Sequence, residues 1–181
     1  MGDSQTTQTL QTLLSQSPEL ILHWLQDVES GHQEVSSDFN WLGLAESAAF
    51  EARAKNNVTW AEVAIRVYER LATSVDSAHK NGFIASIMHL KAFLIIQLGA
   101  VHGDPILDPD EIVQWFFANL PYTFEEATQK TAHWRTLDVQ EIKALRLIKG
   151  RLSIVTSLVK NNIVHPGLEL QLWLSLQQSL P

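Results

Sequence analysis

Residues 83–98 read FIASIMHLKAFLIIQL. Apolar side chains fill nearly every position, and only Ser86, His89, Lys91 and Gln97 interrupt them. A surface helix keeps its apolar residues on one stripe, so a helix that is apolar all round has to be covered all round. The cover could be lipid or protein. A bilayer span needs about 20 predominantly apolar residues in a row. This run is shorter, and Lys91 and His89 stand in its middle. It is therefore predicted to be the central helix of a soluble helical domain, sheathed by other helices.

Working outward, Asn81-Gly82 marks a break before this helix, and Gly99, Gly103 and Pro105 end it in a loop. Upstream, Trp60, Val63, Ala64, Val67 and Leu71 form the apolar face of another helix, with Glu62 and Arg66 on its exposed side as an acid-before-base pair. Thr59-Trp60-Ala61-Glu62 has the spacing of a capping box at its start. Trp41, Leu44, Ala45, Ala48 and Ala52 line the preceding helix, which Asp38 can cap and Asn56-Asn57 ends. Ser17-Pro18 opens a helix carrying Leu20, Ile21, Trp24, Leu25 and Val28, and Gly31 closes it. Leu10, Leu13 and Leu14 suggest a short first helix.

Downstream, Asp108-Pro109 opens a short helix with Ile112, Val113, Trp115, Phe116 and Phe117, stopped by Pro121. Thr123 with Glu126 and Asp138 with Glu141 repeat the capping pattern. The second of these starts a long helix over about 139–160, with Ile142, Leu145, Ile148, Leu152, Val155 and Val159 on its buried side. The last segment, LELQLWLSL, alternates like a strand. Its leucines also stack at helical spacing and no partner strand exists, so it is assigned as helix. The expectation is all-α: roughly eight helices in a single domain over 10–181, behind a flexible 1–9 segment. They would form either a bundle or a short repeat-like array around the central helix.

The chain of 181 residues is 45% hydrophobic, which excludes wholesale disorder. Its formal net charge of -7 works against phosphate backbones and anionic membranes. Cysteine is absent, so disulfides, thiolate metal sites and cysteine nucleophiles are excluded together. The start, MGDSQTTQTL, has neither a basic nor an apolar region, so no signal peptide is expected and the cytoplasm is the expected location. Gly2 and Thr6 match a myristoylation pattern, which short polar segments match by chance.

Catalytic and metal motifs are missing. The sequence has no HExxH, no GxSxG elbow, no phosphate loop and no dinucleotide fingerprint. The acids at 108–111 and 125–126 fall where helix caps need them. No cofactor is expected, and no residue is assigned a catalytic or metal role. His89 is the candidate buried polar site, because a polar ring on a covered helix needs a partner or a cavity. A tryptophan at a helix end is a candidate contact residue. Trp134, flanked by His133 and Arg135, is chosen, together with Lys143 and Arg146 from the basic stretch that follows.

Two resemblances bear on function. Trp41, Leu44, Ala45 and Ala48, followed by WAEVAIRVYERLA at 60–72, resemble one hairpin of a tetratricopeptide repeat. That resemblance implies paired helices stacking into a concave peptide-binding surface. The turn is longer than the repeat's, the usual closing proline is missing, and no second copy follows. LDVQEIKALRLIKGRLS at 137–153 resembles the start of a LuxR-type helix-turn-helix, through Glu141, Leu145-Arg146-Leu147-Ile148 and Gly150. The residues after it are too apolar for a groove-reading helix. The functional expectation is a non-enzymatic protein-interaction or regulatory module, able to form a homodimer. The alternatives are a DNA-binding regulator using 137–160 and a ligand-binding bundle or enzyme built around His89.

Overall fold

In a computed structural model, the chain is described over residues 9–74, 77–98 and 107–181. Among these residues there are nine α-helices, one 3-10 turn and no strand. The helices are α1 (Leu10–Leu14), α2 (Pro18–Glu29), α3 (Trp41–Lys55), α4 (Val58–Ser74) and α5 (Ser77–Leu98). They continue with α6 (Pro109–Ala118), α7 (Phe124–Ala132), α8 (Val139–Lys160) and α9 (Leu168–Gln177). The fold is all-α, as expected. Its contacts divide into two compact units, Met1–Leu90 and Lys91–Pro181, with the division inside α5.

From Phe83 to Ile96 no residue of α5 is exposed, and Leu90, Ala92 and Ile95 are each 1% exposed. The apolar run is thus a helix that is buried or half-buried at each of these positions. It is not broken at Asn81-Gly82, however; α5 passes straight through them. A glycine inside a helix costs about 1 kcal/mol, which is small beside the burial that this helix gains. Gly99, Gly103 and Pro105, the expected loop, lie outside the described residues, as do Gly2 and Thr6.

In the first unit, α3 and α4 form a tight hairpin. Leu44, Ala45, Ala48 and Ala52 on α3 and Ala61, Val63, Ala64 and Val67 on α4 are fully buried. Small side chains at a helix contact let the axes approach closely. Asn56 closes α3 in the left-handed conformation, with φ 48. The caps differ from those expected. Asn57, not Thr59, caps α4, its side chain accepting from the Trp60 amide at 3.0 Å. Asn40, not Asp38, caps α3, accepting from the Gly43 amide at 2.8 Å. Asp38 instead accepts a hydrogen bond from Ser36. Helical ion pairing among the described residues falls on Glu51 and Lys55 rather than on Glu62 and Arg66. Trp24 stacks on Trp41 at 5.6 Å, Phe39 meets Trp41 edge-on at 4.8 Å, and the Arg70 guanidinium lies 4.3 Å above the Trp41 ring.

In the second unit, Ala127, Leu145, Ile148, Leu152, Trp173 and Leu180 make the core, flanked by Phe117, Phe124, Leu137 and Leu176. The expected caps form here: Asp108, Thr123 and Asp138 accept from the amides of Asp110, Glu126 and Glu141 at 2.9, 3.2 and 2.8 Å. The last segment is helical, and it buries Leu170 and Trp173 rather than Leu168 and Leu172. Thr156 donates to Gln177 Oε1 at 2.8 Å and Gln177 donates to Ser153 at 3.1 Å, tying α9 to α8.

Candidate interaction surfaces

His133, Trp134 and Arg135 sit where α7 stops and α8 has yet to start. The chain makes a 3-10 turn over Trp134–Thr136, held by the Thr136 and Leu137 amides donating to His133 and Trp134 carbonyls at 2.9 and 3.2 Å. Leu137 then turns inward to the core, while Trp134 is 37% exposed. Arg135 lies 5.4 Å from the Trp134 ring centroid. All three residues, with Thr131 and Ser179, line a cleft of about 460 Å³.

Lys143 and Arg146 do not line that cleft. They project from α8, where Val139, Lys143, Arg146, Leu147 and Gly150 are all exposed. At 3.6 residues per turn these five fall within an arc of about 100°, so they share one face. Val139 is 65% exposed and Leu147 44%. No ion pair among the described residues engages Lys143 or Arg146.

Other cations of the same stretch are occupied. Lys149 donates to the Leu180 carbonyl at 3.2 Å. Arg151 donates to the Asn119 carbonyl and lies 5.1 Å above the Trp115 ring, and burial lowers its pKa. Lys130 reaches from α7 to Glu141 on α8 at 2.7 Å, and that hydrogen bond raises the lysine's pKa. Moreover α8 runs unbroken through Gly150. Within the stretch that resembles a helix-turn-helix, residues 139–153 therefore form one continuous helix, without the turn that presents a recognition helix.

A second feature of this unit is absent from the expectations. Phe117, Leu120, Tyr122, Phe124, Leu172 and Trp173 floor a hollow of about 590 Å³, rimmed by Glu125, Glu126 and Glu169. A hollow of about 330 Å³ adjoins it, sharing Phe117 and Glu169 and adding Asp110, Val113 and His165. The rings pack closely, with Phe124 edge-on to Trp173 at 5.3 Å and Phe117 at 6.2 Å from it. One signal was present in the sequence: α9 has more leucines than one buried face can use, and Leu172 stays 46% exposed. The acids gave none, because capping already accounted for them.

In the first unit the exposed apolar side chains of the hairpin are Leu42 and Phe50 on α3, at 41% and 69%. Phe50 borders a hollow of about 370 Å³ with Leu14, Glu46 and Glu51. His89 is half-buried on α5 and lines none of these hollows. Among the described residues no three His, Asp or Glu side chains are grouped to hold a metal ion, and no helix is long and apolar enough to cross a membrane.

The chain is thus an all-α protein whose hairpin is compatible with a helical-repeat-like fold. It matches no protein-family model, no curated protein and no solved structure.

Proposed function

We propose that this chain is a non-enzymatic, cytoplasmic protein-interaction module that contacts its partner through the Trp134 turn and the exposed face of α8. The observation that carries the reading is the mixed composition of that face. Val139 and Leu147 stand in solvent beside Lys143 and Arg146. Large apolar side chains grouped with cations on one helix face have the make-up of a contact surface rather than of a solvated one, and an accessible tryptophan stands in the turn that precedes this helix. The α3–α4 hairpin supports the same class of function: its alanine-lined contact is what a tetratricopeptide-like unit would use to present a flank for binding.

The test is a comparison of retained proteins. The wild-type chain and the variants Trp134→Ala and Lys143→Glu/Arg146→Glu are immobilised and exposed to the source cell's lysate. A Lys160→Glu chain serves as the control. The expected result is a partner kept by the wild type and the control and lost by the other two, with thermal unfolding unchanged. A retained set indifferent to all three changes would defeat the reading.

A further inference from the structure

We infer that the groove on the Lys91–Pro181 unit, between α6, α7 and the start of α9, docks a basic segment of another protein. This segment sets an aliphatic or aromatic side chain against Tyr122, Phe124 and Leu172 and lays its lysines or arginines along Glu125, Glu126 and Glu169. The inference rests on the reading of the chain as an interaction module and adds a second surface with a partner of defined chemistry.

Charge complementarity selects the occupant. Four carboxylates border the two adjoining hollows, those of Asp110, Glu125, Glu126 and Glu169, and neither lysine nor arginine lines either one. Lys130 sits 4.9 Å from the Tyr122 ring but is already paired with Glu141. All four acids stand in first turns, of α6, α7 and α9. A helix N-terminus offsets about half a unit charge. Three such ends offset about one and a half of the four negative charges, and Lys130, on which Glu126 also acts, is already paired with Glu141, so the rim stays net negative. Capping needs explain an acid at each helix; they do not explain why the first turns of α7 and α9 open onto one aromatic floor, with that of α6 on the adjoining hollow and neither lysine nor arginine lining either.

The floor supplies what an acidic cluster alone lacks. Leu172 is nearly half exposed and Phe124 partly so, while Trp173 beneath them is 3% exposed and holds them in place. An incoming side chain would therefore meet a packed apolar base without rearranging it, which keeps the ordering cost of binding low. Apolar contact for affinity and rim charge for steering and selection is the usual division of labour at such surfaces.

The experiment uses the full-length chain and a fluorescein-labelled peptide of lysine and leucine with one phenylalanine. Its twin carries glutamate in place of every lysine, and spermine is the small-cation control. Anisotropy is followed at low and high salt, and amide shifts are mapped by NMR. Expected are saturable binding of the basic peptide, about tenfold or more over the acidic twin, loss of affinity with salt, and shifts centred on Phe124 and Leu172. Glu125→Gln/Glu126→Gln/Glu169→Gln weakens binding about tenfold. Because those acids also support helix ends, Leu172→Gln gives an independent reading; it has no capping role, and the same loss is expected. Equal binding of the twin, spermine as effective as the peptide, or shifts centred on α8 would each overturn the inference. So would self-association of the chain that Lys143→Glu/Arg146→Glu abolishes, which would assign the groove to a second copy. None of Trp134, Lys143 and Arg146 lines this groove, so failure here and failure of the α8 reading are separate results.

Discussion

Gly43 occupies the first turn of α3, and a Cβ there would lie 2.6 Å from Asn40 Nδ2 and 2.8 Å from Leu10 Cδ2. Asn40 could swing aside, but it caps the helix, and losing such a cap costs about 1 kcal/mol. Gly82 and Gly150 are helical too, yet nothing lies within 4 Å of a Cβ at either. Gly31 has φ +78, where any side chain is strained. Four alanine substitutions should therefore split by sign. Gly82→Ala and Gly150→Ala are expected to stabilise by about 0.5–1 kcal/mol. Gly43→Ala and Gly31→Ala are expected to destabilise by about 1 kcal/mol. Urea unfolding midpoints at constant slope check all four. Position 150 also tests topology. If Gly150 formed the turn of a helix-turn-helix, alanine there would destabilise. The sequence made Gly31 legible because glycine after a periodic helix has one common use. It misled at Gly82, because a turn-like Asn-Gly pair looks the same whether or not neighbouring packing overrides it.

At the scale of elements, α8 shows how a helix start and a helix side are held by different chemistry. Asp138 accepts the Glu141 amide, and that backbone hydrogen bond lowers its pKa. A depressed carboxylate contributes stability that is complete above its unfolded pKa of about 3.9 and is lost as pH falls through the lower folded value. Asp138→Asn keeps an acceptor at the cap while removing the titration. The variant should flatten the acid limb of stability below about pH 4 and leave neutral stability nearly unchanged, as read from urea midpoints across pH. Farther along, Arg151 holds the Asn119 carbonyl and covers Trp115. Arg151→Met should cost about 2 kcal/mol, since a hydrogen bond from a charged donor is worth about 1.5–3, whereas Arg146→Glu on the exposed face should change melting by little. Thermal unfolding of the two variants separates a structural arginine from an available one. The helical period already places these two arginines about 140° apart on α8; what the sequence does not show is the partner of Arg151, because the Asn119 carbonyl is distant in the chain. The limits of α8, by contrast, were readable almost to the residue, because its cap is local.

At the scale of the whole molecule, what was legible follows from how far apart in sequence the cause lies. The burial along α5 could be expected because a continuous apolar run has few alternatives. The exposure of Trp134 could be expected because a tryptophan near a helix end between polar neighbours is a local fact. The aromatic groove could not, since Phe117, Phe124 and Trp173 meet only once α6, α7 and α9 are packed. The same distinction bears on unfolding. The two compact units divide within α5 after Leu90, so each includes part of one continuous helix. Residues 91–98 alone fall well short of the roughly 12–15 residues that an isolated helix needs even to be marginal. Unfolding of the first unit would therefore strip α5 of the turns that support its remainder, and the units should melt together. Leu44 and Leu145, one in each unit, are both 0% exposed, and truncation of either to alanine should cost about 2–5 kcal/mol. In a chain of this size each kcal/mol lowers the melting temperature by about 2–4 °C. Calorimetry of Leu44→Ala and Leu145→Ala should show one transition moving down in both, with calorimetric and van't Hoff enthalpies equal. Two transitions, each answering to only one of the substitutions, would mean that the shared helix does not couple the units.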